Sequence, residues 1–108
     1  MAQKVNIVID QGTTFNTDFT FTNDYDEPIN FSTYQGRSQM RKSYSSSTSY
    51  PFTVSLGSDG IISLSMNAAT TSSITAGRYV YDLEVVDAGG VVSRLVEGIA
   101  TVTTEVTR

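Results

Sequence analysis

A hairpin near the carboxy end does most to limit what this chain can fold into. Gly77-Arg78-Tyr79-Val80-Tyr81-Asp82-Leu83-Glu84-Val85-Val86 reads as one strand, and Asp87-Ala88-Gly89-Gly90 as a turn. Val91-Val92-Ser93-Arg94-Leu95-Val96 reads as the returning strand, continuing through Gly98 to Val102. Its β-branched and aromatic side chains suit a pleated, half-buried surface. A three-residue loop with a glycine bulge, Ala88-Gly89-Gly90, sets Asp87 opposite Val91 and Glu84 opposite Arg94. It also sets Leu83 opposite Leu95 and Asp82 opposite Val96. An exposed Glu84–Arg94 pair follows, worth about 0.2–1 kcal/mol. Gly98, inside the second strand, marks a bulge or a close backbone approach.

The rest of the chain repeats the strand pattern. Val5, Ile7 and Ile9 alternate with Asn6, Val8 and Asp10. From Thr14 to Thr22, Phe15, Thr17, Phe19 and Phe21 alternate with polar residues, the mark of a sheet with one buried and one wet face. Tyr34, Gly36, Ser38 and Met40 alternate with Gln35, Arg37, Gln39 and Arg41, which puts the second set in solvent. Ile29 to Phe31 is a candidate short element before it. Pro51 opens a strand with Phe52, Val54 and Leu56 on one face, and Ile62, Leu64 and Met66 return after the turn at Gly57 to Gly60. Residues 43–50, all Ser, Thr or Tyr, read as a loop tip. Asn67 can cap one helical turn over 68–73, with Ile74 beneath it. The order is about seven short strands with regular turns, the pattern of an all-β, two-sheet antiparallel immunoglobulin-like sandwich. At 108 residues one domain spanning 1–108 is expected, burying roughly 65% of its unfolded surface.

The chain has neither Cys nor His. That removes disulfides, thiolate chemistry, the commonest metal ligand and the commonest general base. A net charge of −4 argues against a nucleic-acid partner. No apolar run approaches the roughly 20 residues of a membrane span, and the amino terminus lacks a signal-peptide pattern. No membrane partner and no signal-directed export are expected.

Few residues invite a functional reading. Asn23, Asp24, Asp26 and Glu27 form an acidic loop, but its spacing does not match an EF-hand. Arg37, Arg41 and Lys42 are the only basic cluster and read as a solvated strand face. Asp82 and Glu84 share a strand face, yet nothing beside them completes an acid–base pair. Tyr25, Tyr44 and Tyr50 are the aromatics free to act as contacts. No catalytic, cofactor-binding or metal-ligating residue emerges; no enzyme and no cofactor are expected.

The same hairpin carries a family resemblance. Ala76 to Glu84, Gly90-Val91, Arg94-Leu95-Val96-Glu97-Gly98 and Val102 to Arg108 follow the form G-x-Y-x-Y-D-L, glycine turn, L-x-x-G, E-V-T. Asp10 to Phe15, Pro28 to Tyr34 with Gln39-Met40-Arg41, and Gly60 to Met66 with Thr70-Thr71 fit its earlier segments. Phe31, Ser32 and Thr33 depart from it. In these residues the chain resembles a small immunoglobulin-like β-sandwich domain of tailed-bacteriophage virion proteins of the baseplate and tail. The resemblance implies a non-catalytic virion structural protein, made in the host cytoplasm, that binds other virion proteins in several copies. A capsid decoration or cement protein, or a carbohydrate- or receptor-binding sandwich, are the alternatives.

Overall fold

The hairpin is the spine of the molecule. In the computed structural model, which describes residues 2–106, the longest strands are β8 (Gly77–Val86) and β9 (Val92–Thr103). The seven before them are β1 (Gln3–Lys4), β2 (Ile7–Asp10), β3 (Phe15–Thr20), β4 (Gln35–Arg41), β5 (Ser49–Pro51), β6 (Thr53–Leu56) and β7 (Ile61–Met66). One helical turn, α1 (Ala68–Ser72), precedes β8. Met1, Thr107 and Arg108, parts of the amino-terminal reading and the closing motif, lie outside the described residues.

Two sheets face each other. Sheet A has the order β1-β9-β8-β4-β5, with β2 continuing beside β9, and sheet B has the order β3-β7-β6. All ladders are antiparallel except those of β1 and β2, which run parallel to β9. This is the two-sheet immunoglobulin-like sandwich. The inward phases of the alternating strands fill the core: Ile9, Met40, Ile62, Leu64, Leu83 and Val96 are fully buried. Phe31 packs edge-on to Phe21 at 5.9 Å and to Tyr34 at 5.2 Å, closing one end. The span from Ile29 to Phe31 forms no strand; only an isolated bridge, Thr22 with Pro28, precedes it.

Nine strands stand where seven were expected, because β1 forms ahead of the expected Val5-to-Asp10 strand and the expected Pro51-to-Leu56 strand is broken. The first break, at Val5 and Asn6, separates β1 from β2, and side chains replace the lost ladder partners. Asn6 Oδ1 accepts from Ile99 N at 3.1 Å, and the Tyr81 hydroxyl donates to Val5 O at 2.6 Å. Satisfying each buried backbone group in this way is what permits the break. Gly98 makes it sterically possible, since a Cβ there would lie 2.0 Å from Val5 O. The second break is at Phe52. Pro51 ends β5 in sheet A, Phe52 is buried with its N–H on Ser38 O at 2.9 Å, and Thr53 begins β6 in sheet B. The single strand expected from Pro51 to Leu56 therefore crosses between sheets, and Ser49 and Tyr50 leave the expected loop to join β5.

The helical turn forms as its sequence requires. Asn67 Oδ1 accepts from Thr70 N at 2.8 Å, and Ile74 is fully buried beneath it. Thr71 is also fully buried: its hydroxyl donates to Thr13 O at 2.7 Å and accepts from Gly12 N at 3.1 Å. The Tyr79 hydroxyl donates to Thr75 O at 2.6 Å, the tyrosine-corner contact of immunoglobulin-like domains.

The hairpin register agrees with expectation at one end only. Asp87 N–H reaches Val91 O at 3.0 Å, and Glu84 pairs with Arg94. Beyond that Leu83 pairs with Val96 and Asp82 with Glu97, so the expected Leu83–Leu95 and Asp82–Val96 pairs do not form. Leu95 is the extra residue of a β-bulge between Arg94 and Val96.

Candidate interaction face

That bulge builds the most elaborate surface of the molecule. In a regular strand Arg94 and Glu97, three apart, point to opposite faces. The extra residue puts both on the outer face of sheet A. Arg94 there meets three carboxylates: Asp82 at 3.5 Å, Glu84 at 3.7 Å and Glu97 at 3.5 Å. Glu84 is shared with Arg37 at 2.9 Å. Glu84 and Arg94 lie on one face, as the register required.

Asp82 and Glu84 are thus held by guanidinium groups and linked through Arg94. Partial burial lifts the Asp82 carboxyl above its ordinary value, Glu84 adds to this and Arg94 opposes it. Two carboxylates clasped by one guanidinium suit a structural network rather than a pair that passes protons to a substrate.

Next to this network the face becomes apolar. Lateral pairing aligns Arg41 with Val80 and Val80 with Ile99; the adjoining row holds Arg78, Thr101 and Val8. Val8 is 61% exposed and Ile99 38%. Tyr44, 79% exposed, reaches back from the loop between β4 and β5. It borders one depression of about 230 Å³ with Gln39, Arg41, Val80, Asp82 and Arg94. It borders a second, of about 310 Å³, with Lys4, Asn6, Val80, Glu97 and Ile99.

The structure separates the residues singled out from sequence. Tyr25 is exposed on the loop after β3, at the end of the sandwich away from Tyr44. Tyr50 is half-buried, edge-on to Tyr79 at 5.9 Å, and belongs to the core rim. Arg37 and Arg41 share the outer face of sheet A, but Lys42 turns away to stand 5.0 Å over the Tyr79 ring. In the acidic loop Asn23 Oδ1 accepts from Tyr25 N at 2.8 Å and Glu27 N at 3.1 Å, a turn that holds itself. Among the described residues no group of three or more acidic side chains gathers as a metal site. The apolar patch was not singled out from sequence, yet Val8 carried its signal: an apolar residue in the wet phase of an alternating strand.

No family model and no curated protein matches the chain. Among solved structures, a point mutant of the SrpA adhesin from Streptococcus sanguinis superposes with a TM-score of 0.52 at 14% identity, over 92% of this chain and 55% of the adhesin chain. A family 123 glycoside hydrolase from Clostridium perfringens superposes with a TM-score of 0.44 at 15% identity, over 97% of this chain and 24% of the hydrolase. The adhesin likeness is one of fold, and this chain spans little more than half of the adhesin's length.

Proposed function

We propose that this chain is a non-catalytic assembly module of a tailed-bacteriophage virion, in the tail, baseplate or neck. The observation that carries the binding role is the outer face of sheet A. It presents half-exposed Val80 beside Ile99, with Val8 next to Thr101 in the adjoining row, and charged residues around them, the composition of a protein-contact surface. The virion placement rests on the sequence resemblance in the hairpin and the segments before it. Labelling purified particles with an antibody to the chain, or resolving them by cryo-electron microscopy, tests this reading. Signal at the tail or baseplate is expected; signal on the shell alone would assign it to capsid decoration, and a chain missing from particles would sink the virion role.

One observation favours a second reading, a glycan- or receptor-binding sandwich. Tyr44 stands over a depression lined by Gln39, Arg41, Asp82 and Arg94, an aromatic platform beside planar polar groups. Glycan-array binding that Tyr44→Ala abolishes would select it.

A further inference from the structure

The two halves of a contact are both present on this chain, at places that cannot reach each other. One is the loop end. The connections 22–28, 57–60 and 87–91 lie together: Phe21 N–H bonds Gly60 O, Phe31 N–H bonds Gly57 O, and Gln35 beside them pairs with Val86. They carry Asp24, Asp26, Glu27, Asp59 and Asp87 and no basic residue. None of the five is in an ion pair among the described residues. Large apolar side chains stand among them: Tyr25 is 83% exposed, Val91 60% and Val92 50%.

The other half is the patch of Val8, Val80 and Ile99 on sheet A. Arg41, Arg78 and Lys4 frame it, and none of these has a carboxylate partner within 4.0 Å among the described residues. Arg41 donates instead to Ser46 O and to Gln39 Oε1 at 3.3 Å. Of the carboxylates nearest the patch, Glu97 meets Arg94, and Asp10 accepts from the Thr103 hydroxyl at 2.7 Å, as Asp87 at the loop end accepts from Gly89 N and Val91 N at 2.9 Å. An apolar surface with unpaired cations and one with unpaired carboxylates are complementary in both respects.

We infer that the loop end of one copy docks on the outer face of sheet A of a second copy. This deepens the reading of the chain as an assembly module and rests on it. The contact uses different patches on the two partners, so each copy keeps one half free and the assembly grows into a ring or a filament. Exposed cations and carboxylates make it weaken with salt.

Sedimentation velocity on the purified full chain, at low and high salt and over a range of concentrations, tests this. Wild type is expected to form species beyond the dimer at low salt and to return to monomer at high salt. A face variant, Arg41→Glu with Arg78→Glu and Ile99→Ser, and an end variant, Asp24→Lys with Tyr25→Ser and Asp26→Lys, are each expected to stay monomeric. Mixed in equal amounts they are expected to form a dimer and nothing larger, since each supplies the half the other lacks. Melting curves matching wild type exclude misfolding; every substituted side chain is exposed except Arg41, which is half-buried. A wild type that is monomeric throughout, a dimer that grows no further, or a mixture that stays monomeric overturns the inference. A monomeric chain still found in particles overturns only this contact; self-association without presence in particles overturns only the virion role.

Discussion

The two sheets of this sandwich bury similar inner faces and present opposite outer ones. Outside sheet B, Asn16, Ser65 and Thr53 form one row, and Asp18, Ser63 and Ser55 the next. Its one charge, Asp18, is spoken for by the Ser63 hydroxyl at 2.6 Å. Outside sheet A stand two arginines shared among three carboxylates, three cations without such partners among the described residues, and an apolar patch. A hydroxyl-covered sheet resists contact, because each hydroxyl is already well solvated and burying it gains little. The difference separates the two outer sides: that of sheet A has the composition of a contact surface and that of sheet B does not.

The largest effects should come from breaking sheet A where its first strand crosses Gly98. Gly98→Ala places a methyl against Val5 O, and rigid backbone cannot yield as a side chain can; a loss of about 3 kcal/mol or more is expected in urea unfolding. A result near zero would mean that the β1–β2 break is not held there. Leu64→Ala in sheet B and Leu83→Ala in sheet A should each cost about 2–5 kcal/mol, showing the two sheets equal on their inner sides. Next comes Thr71→Val, which leaves Gly12 N–H without its partner and should cost about 1–3 kcal/mol by thermal melting.

Tyr81→Phe should cost about 0.5–1.5 kcal/mol at neutral pH, through the lost bond to Val5 O. Burial pushes the Tyr81 hydroxyl up to about 12. The folded state therefore keeps the proton longer than the unfolded one, and wild type loses stability as pH rises from the ordinary tyrosine value through the raised one. Unfolding series at rising alkaline pH should show a larger loss in wild type than in Tyr81→Phe, in which the Tyr79 hydroxyl, also raised by burial, keeps part of it.

The smallest effects should distinguish the two outer faces. Asp82 also has a folded value above its unfolded one. The stability it gives is present at acid pH and is lost as pH rises from the ordinary carboxylate value through the raised one. Asp82→Asn should remove that slope while changing neutral stability by less than about 1 kcal/mol, because the Arg94 contact is partly exposed. Asp18→Asn on sheet B should stay within about 0.5 kcal/mol and leave self-association untouched. Altered association in that variant would erase the distinction between the faces.

Much of this was legible in short-range pattern. The Phe15, Thr17, Phe19 alternation, the outward Gln35, Arg37, Gln39 and Arg41, and the Asn67 cap with Ile74 beneath it all follow from residues a few positions apart, whereas at Gly98 the sequence left a bulge or a close approach open and distant Val5 decided it. Side-chain period and turn chemistry are local properties, so a single chain displays them. What only the tertiary structure decided depends on residues far apart in sequence. The parallel pairing of Gln3 with Val96 and of Ile7 with Ala100 has no local mark, because any alternating strand can join either edge. The crossing of Phe52 between sheets follows from which neighbours bury it. The bulge at Leu95 was invisible for the same reason. It is one residue of slippage in the long hairpin of β8 and β9, and it decides that Glu97 joins Arg94 on the outer face of sheet A rather than turning into the core.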